Sequence, residues 1–228
     1  MGIRGCFVTG TDTGVGKSVL TAAIVASLRA RSVPLRALKP VITGLDDEPD
    51  PVWPPDHELL ARIAGARPEE TMLVGYGPPV SPHLAAALAR RPIEIEALVS
   101  AIRAACDPDA ALIVEGVGGL LVPLSESADV RDLAAALELP LVIAARPGLG
   151  TINHTLLTLE AARAGGLEVA GVVLTPWAGQ PSDMERSNRE TIERLGRIEV
   201  ATLGLVRAPE PAALAAAAAE IPVERWLC

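Results

Sequence analysis

Lysine is nearly absent from this 228-residue chain. Of its 20 basic residues only Lys17 and Lys39 are lysines, so every other positive side chain is an arginine. Arginine serves well as a solvated charge or as a planar fork for a carboxylate, but it does not replace a compact ammonium on a flexible stem. We therefore expect the two lysines where a point charge is needed, in phosphate or anion chemistry.

Other absences narrow the functional class. The net charge of -8, with no basic block longer than Arg90-Arg91, argues against nucleic acid or an anionic membrane surface as a partner. No apolar stretch reaches the ~18 residues expected of a membrane-spanning helix. Cys6, Cys106 and Cys228 are odd in number and lack metal-ligand spacing, which is typical of a cytoplasmic protein with reduced thiols.

Apolar residues are abundant, at 50% of the chain. Strand-length apolar runs occur at residues 6–9, 35–38, 111–114, 139–144, 169–174 and 201–206. Helical patterns occur at residues 17–30, 57–64, 95–105, 130–137, 152–164, 183–195 and 212–219. This alternation predicts an α/β fold with a doubly wound, mostly parallel sheet. We expect one domain over residues 1–228, because the proline-rich segments 49–55 and 75–82, predicted as loops, have no separate core on either side.

A glycine-rich loop follows the first predicted strand. It runs from Gly10 to Gly16, and Lys17 and Ser18 open the first predicted helix. Backbone N–H groups of such a loop surround phosphate, its lysine bridges phosphates and its hydroxyl ligates Mg²⁺. The strict pattern has glycine where Thr11 stands, and a flexible turn with an incidental lysine is the alternative. We predict a P-loop NTPase-like fold that binds nucleotide phosphate.

Two carboxylates could complete a magnesium site. Glu115 follows a predicted strand, at the sheet edge where ligands bind, although it could also be a solvated turn residue. Asp56 precedes a predicted helix and, taken alone, is better explained as its N-cap. Mg²⁺ needs only one or two protein carboxylates beside phosphate oxygens and water. The predicted metal ligands are therefore Ser18, Asp56 and Glu115.

Five motifs in one order run along nearly the whole chain. They are residues 8–18 (VTGTDTGVGKS), 39–44 (KPVITG), 81–83 (SPH), 114–119 (VEGVGG) and 150–154 (GTINH). With these motifs the chain resembles the dethiobiotin synthetase family, whose glycine loop has the same longer form. The resemblance implies an ATP-dependent, Mg²⁺-requiring ligase of biotin synthesis. It joins CO₂ to 7,8-diaminononanoate as a carbamate, phosphorylates the carbamate and closes a cyclic urea.

The resemblance also implies residue roles. Lys17 and Lys39 are the catalytic residues, Lys17 toward the β- and γ-phosphates and Lys39 toward the carbamate and γ-phosphate. The implied nucleotide-binding residues are Thr13, Gly14, Val15, Gly16, Lys17, Ser18, Val19, Asp56, Glu115, Gly116, Val117, Gly118, Thr175 and Pro176. The implied substrate-binding residues are Thr11, Lys39, Thr43, Gly150, Thr151 and Asn153.

A predicted helix from Ile152, with Thr151 as its N-cap, offers free N–H groups to the substrate carboxylate. In the family this helix serves the neighbouring subunit, which implies a homodimer. Thr175-Pro176 stands where the family commonly has Asn-Asp against the adenine, which leaves the preferred nucleoside triphosphate open. The roles of Arg207 and Asn188 are open as well.

Two other functions fit a phosphate-binding α/β domain. A partitioning-type nucleotide switch acts through protein partners, but such proteins usually carry an additional lysine early in the loop, where this chain has Thr11-Asp12-Thr13. A related amide-forming or acyl-transfer enzyme borrows the same domain, but the sequence shows no glutaminase or transferase region. The ligase interpretation accounts for more of the motifs than either.

Overall fold

A computed structural model describes residues 4–48 and 50–227. Its strands are β1 (Gly5–Gly10), β2 (Leu35–Leu38), β3 (Val41–Ile42), β4 (Val74–Gly75), β5 (Ala111–Gly119), β6 (Leu141–Ala145), β7 (Val169–Trp177) and β8 (Val200–Gly204). The main sheet has the order β2-β5-β1-β6-β7-β8, and β3 pairs with β4 in a small second sheet. All these pairings are parallel. The strand before the glycine loop, β1, therefore lies between β5 and β6.

Helices cover both faces of the main sheet. They are α1 (Lys17–Ala30), α2 (Asp56–Ala64), α3 (Pro82–Leu88), α4 (Ile95–Ala104), α5 (Val130–Leu137), α6 (Thr151–Ala164), α7 (Asp183–Gly196) and α8 (Pro211–Ala217). Val8 of β1 packs in the core under α1, α2 and α8. Its neighbour Phe7 packs in the opposite core with α4 and α5. Successive strand residues point to opposite faces, so the predicted doubly wound α/β fold is confirmed.

Several predicted boundaries change in the structure. β5 continues through Glu115 to Gly119, because its last residues still pair with β1. The segment predicted as a loop over 75–82 begins in β4 and ends at the first residue of α3. The small sheet was missed because strands of two residues carry no readable periodicity. The first and last residues of the predicted domain, and Pro49, lie outside the described residues. Within the described residues, none of the helices has the length and hydropathy of a membrane span.

Two predicted helix caps are wrong. Pro55, not Asp56, is the N-cap of α2, and Asp56 is the first helical residue. Its carboxylate is engaged with Lys39 instead of the helix backbone. Likewise Gly150 is the N-cap of α6, with φ of 91°, and Thr151 is the first helical residue. Such a positive φ favours glycine over threonine, which explains the shift by one residue.

Asn188 anchors the turn that leads into α6. This buried residue of α7 donates through Nδ2 to the carbonyl oxygen of Pro147 at 2.9 Å and to that of Gly148 at 3.3 Å. These bonds satisfy carbonyl groups of a loop that has no strand partner at that point. The start of α6 is therefore held by α7 from outside the sheet.

We expect Asn188→Asp to destabilise the fold, because a carboxylate would face two carbonyl oxygens that now accept from an amide. The cost should be about 2 kcal/mol or more, which lowers the melting temperature by roughly 5 °C for a chain of this size. Thermal unfolding followed by circular dichroism measures it. The chain's other asparagine, the exposed Asn153, provides the matched control. Asn153→Asp should change stability by less than about 0.5 kcal/mol, and equal effects at the two positions would contradict the anchoring role.

Candidate active site

The glycine loop after β1 has the backbone of a phosphate cradle. Gly14 has φ of 70° and Gly16 has φ of 93°, which turn the chain tightly before the helix. α1 begins directly after Gly16. The N-terminus of a helix presents free N–H groups and the positive end of its dipole. The loop and helix together therefore form an anion site.

The side chain of Lys17 reaches back across this loop. Its Nζ donates a 2.8 Å hydrogen bond to the carbonyl oxygen of Asp12. Arg146 holds the neighbouring part of the loop by donating to the carbonyl oxygen of Thr13 at 3.1 Å. Burial lowers the pKa of Lys17, against the attraction of Glu115, which raises it. A buried ammonium with one protein acceptor has donors left for an incoming phosphate.

The second lysine lies between two carboxylates. Lys39 Nζ forms ion pairs with Asp56 and with Glu115, the latter at 2.8 Å. Ser18 Oγ donates to the same Oε1 of Glu115 at 2.8 Å. The structure thus brings together Lys39 and the three predicted metal ligands, which are distant in sequence.

The ion pairs control the protonation of this cluster. Burial opposes the charge of Lys39, but Glu115 and Asp56 outweigh burial, so the pKa of Lys39 is raised above its ordinary value. Burial likewise disfavours the carboxylate of Asp56, and Lys39 outweighs it, so the pKa of Asp56 is lowered. Both groups therefore stay charged at neutral pH.

Strand register and a buried threonine position the cluster. In the pairing of β2 with β5, Leu38 lies opposite Val114, so the next residues along, Lys39 and Glu115, are neighbours. The backbone N–H of Lys39 donates to the carbonyl oxygen of Thr71 at 2.8 Å. The Thr71 hydroxyl lies 3.0 Å from the carbonyl oxygen of His57, the residue after Asp56. Thr71 thereby connects the lysine segment to the start of α2, a role that sequence reasoning missed.

The donor set fits Mg²⁺. One hydroxyl and two carboxylates are hard oxygen ligands of the kind that Mg²⁺ prefers. Glu115 Oε2 is buried without a hydrogen-bond partner, so an acceptor is left over. Among the described residues no group of three or more His, Cys, Asp or Glu could hold a metal ion. A cation here would therefore need phosphate oxygens and water to complete its shell.

A cavity of about 650 Å³ opens beside the loop and the cluster. The predicted site residues that line it are Thr13, Gly14, Gly16, Lys17, Ser18, Val19, Lys39, Thr43, Asp56, Val117 and Gly118. Val15, Glu115 and Gly116 lie outside this lining, and Glu115 is fully buried behind it. Asp47 and Trp53 also line the cavity from the loop before α2, and no sequence motif marks either residue.

The residues predicted near the base lie under the loop. Thr175 is buried, and Pro176 is exposed next to it on β7. Thr175 Cγ2 lies 2.8 Å from the point where a Cβ on Gly16 would be, so the two segments are in close contact. Neither Thr175 nor Pro176 lines the main cavity.

The predicted substrate residues are divided between two cavities. Lys39 and Thr43 line the main one. Thr11 and Thr151 line a small cavity of about 80 Å³ on the other side of the glycine loop. Gly150 and Asn153 line neither. The structure of one chain therefore does not bring all six predicted substrate residues together.

Comparison with known sequences gives a consistent result. The model of an AAA domain matches residues 4–207. The ATP-dependent dethiobiotin synthetase BioD of Anaeromyxobacter sp. (strain Fw109-5) is 41% identical over 90% of this chain and 92% of that protein. The proteins of the same name from Mycobacterium avium (strain 104) and Haloferax mediterranei are 43% and 37% identical, over 93% and 96% of this chain and 88% and 92% of their own lengths.

Solved structures with a similar backbone are more distant in sequence. A ParA family ATPase from Chlorobium tepidum TLS superposes with a TM-score of 0.53 at 12% identity, over 96% of this chain and 90% of that one. Cobyrinic acid a,c-diamide synthase from Mycobacterium smegmatis, with bound ADP and magnesium, has a TM-score of 0.51 at 18% identity, over 94% and 91%. At these identities the likeness shows the P-loop fold alone. The sequence identity over nearly the whole chain, added to the glycine loop and the Lys39 cluster, shows that the chain belongs to the ATP-dependent dethiobiotin synthetase family.

Proposed function

We propose that the protein is an ATP-dependent cyclo-ligase that forms dethiobiotin from 7,8-diaminononanoate and CO₂. The observation that carries the proposal is the single cavity into which Lys17, Ser18, Lys39 and Asp56 all project. One amine of the substrate adds to CO₂ and loses a proton to give a carbamate, whose oxygen takes the γ-phosphoryl group while ADP leaves. The second amine attacks the carbamate carbon and loses a proton as phosphate departs, which leaves the cyclic urea.

Such a reaction needs positioning and charge stabilisation more than an acid-base pair. Lys17 and the N–H groups at the start of α1 hold the phosphates, and Lys39 faces the charge that develops on the carbamate and the transferred phosphoryl group. The hydroxyl of Thr43 lines the same cavity and can donate to the substrate. The apolar walls, which include Trp53 and Val80, suit a methylene chain.

Ser18, Asp56 and Glu115 would hold Mg²⁺ together with the nucleotide. The bound cation would neutralise charge on the β- and γ-phosphates during transfer. The magnesium and ADP bound to cobyrinic acid a,c-diamide synthase, which has a similar fold, support a nucleotide bound together with Mg²⁺. The identity of the preferred nucleoside triphosphate and the cytoplasmic location stay predictions.

We further propose that two copies of the chain share their sites. The divided substrate residues support this, since Thr151 and Asn153 of one copy could complete the main cavity of another. Leu121, Leu149 and Leu157 are all more than half exposed and surround the small cavities beside the loop. Exposed apolar side chains clustered in this way are typical of an interface. The start of α6 would then receive the substrate carboxylate of the partner's site.

Phosphate release tests the ligase against the nucleotide-switch alternative. With ATP and Mg²⁺, release should depend on both diaminononanoate and bicarbonate, and dethiobiotin should form in equal amount. Product analysis by mass spectrometry and a coupled phosphate assay measure the two. ATP hydrolysis that is indifferent to both substrates would favour a switch.

The Lys17→Ala variant should lower kcat by about 10²-fold or more, because it removes a buried point charge beside the transferred phosphoryl group. Lys17→Arg should recover little, since a planar fork does not fit where a compact ammonium crosses the loop. Steady-state kinetics decides the question. Activity near that of the unmodified protein in the alanine variant would contradict the phosphate role of the loop.

Hybrid dimers test the shared site. Asn153→Asp places a carboxylate where the substrate's own carboxylate should bind, and Lys39→Gln removes the charge at the reacting centre. Each homodimer should be nearly inactive, whereas a mixture should recover about a quarter of the activity, since half of the dimers are hybrids with one intact site. Subunit exchange is verified by native mass spectrometry. Exchange without recovery would place α6 in the site of its own chain.

A further inference from the structure

The position of the Lys39 ammonium conflicts with that of a metal ion. Lys39 Nζ contacts a carboxylate oxygen of Asp56 and Oε1 of Glu115, and Ser18 Oγ bonds to that same Oε1. Ser18, Asp56 and Glu115 are the residues proposed to hold Mg²⁺. A divalent cation and an ammonium repel each other strongly at the same oxygens when both are poorly hydrated. The two cations cannot both make these contacts.

The cluster needs a cation in any state. Glu115 lies in the interior of β5 and is fully buried, so its charge would be costly without a partner. In the structure that partner is Lys39, whose side chain is 6% exposed. The ammonium balances one of the two carboxylate charges, which leaves the cluster negative. It therefore still attracts a divalent cation, but less than two free carboxylates would.

The cavity beside the cluster offers the Lys39 side chain a second position. Lys39 lies on the segment between β2 and β3, and its side chain lines the cavity of about 650 Å³ in which phosphate and carbamate are proposed to bind. The flexible four-carbon side chain of Lys39 lets the ammonium leave the carboxylates, while the backbone N–H of Lys39 keeps its hydrogen bond to the carbonyl oxygen of Thr71. Once a divalent cation neutralises both carboxylates, the attraction that retains Lys39 there is removed.

We propose that Lys39 is the internal counter-ion of the metal site, which it fills in the nucleotide-free protein and leaves when the metal enters with nucleotide. This inference rests on the proposed metal site and extends it. Two consequences follow. Free divalent cations bind poorly because they must displace Lys39 without phosphate ligands to compensate. The catalytic ammonium reaches the reacting oxygens only after the metal and nucleotide are in place. Binding of the metal therefore directs the Lys39 side chain toward these oxygens.

The two-lysine composition makes this directly measurable. Protein labelled with ¹³C at lysine Cε gives only two methylene signals, those of Lys17 and Lys39, and the Lys17→Arg variant assigns them. A non-hydrolysable ATP analogue without metal should move the Lys17 signal alone. Adding Mg²⁺ should then move the Lys39 signal. A Lys39 signal that stays in place with Mg²⁺, or that moves equally without it, would overturn the proposal.

Binding of free Mn²⁺, measured by electron paramagnetic resonance without nucleotide, provides the second test. Lys39→Met should bind Mn²⁺ about tenfold tighter than the unmodified protein, because two carboxylates lose their buried partner. Lys17→Met is the matched control, since it removes a nearby lysine that contacts a carbonyl oxygen instead of these carboxylates. Lys17→Met should increase the affinity clearly less than Lys39→Met does, because Lys17 attracts Glu115 and Asp56 without contacting them. Equal affinity in the Lys39 variant and the unmodified protein, or an equal gain in both variants, would contradict the counter-ion role.

The labelling experiment distinguishes failure of the proposed nucleotide site from failure of the counter-ion role. A Lys17 signal that ignores the nucleotide analogue with and without Mg²⁺ would remove the nucleotide site and the counter-ion role together. A Lys17 signal that responds, beside a Lys39 signal that does not, would leave the proposed function intact and remove only the counter-ion role. The labelling experiment measures the unmodified chain and needs Lys17→Arg only to assign its two signals, so the outcome does not depend on whether Lys39→Met folds.

Discussion

The ion pairs of Lys39 with Asp56 and Glu115 are the interaction on which the site depends. Glu115 occupies the interior of a central strand, where an unpaired carboxylate would oppose folding. The lysine that balances it must come from the end of the neighbouring strand, and the first turn of α2 must approach from the other side. These ion pairs connect the segment after β2 and the first residue of α2 to the central strand β5. The same charges that make burial tolerable are those that we propose for metal binding and catalysis.

The glycine loop contributes by a different means. The groups that it offers are backbone N–H dipoles, which need no counter-charge. The side-chain cluster beside the loop, which includes Ser18 at the start of α1, is charged and adjustable. In the proposed function, a backbone cradle next to a movable ammonium would let one part of the site hold the nucleotide while the other part responds to it.

The fold and the glycine loop could be predicted from the sequence, because both are encoded by patterns of residues that are near one another in the chain. The alternation of apolar runs with helical patterns predicts the doubly wound sheet, and the glycine loop carries its own context of strand and helix. The helix caps predicted at Asp56 and Thr151 were wrong. The carboxylate of Asp56 pairs with Lys39, which is distant in sequence, and the N-cap of α6 has a positive φ that favours Gly150 over Thr151. The roles of Thr71 and Asn188 were not predictable, since each depends on carbonyl groups contributed by other segments. The pairing of Lys39 with Glu115 needed the strand register, which a single sequence does not contain.

The close packing of Thr175 against Gly16 links two parts of the site that are usually considered apart. Gly16 has no room for a side chain partly because the threonine methyl lies against it. A bulkier residue at position 175 would press on the turn that shapes the phosphate cradle, and a smaller one would leave the turn less supported. Variation at position 175 is therefore limited by the geometry of the glycine loop. Because the family resemblance implies that position 175 lies near the base, substitutions there should alter nucleotide preference and phosphate affinity together and should be paired with repacking around Gly16.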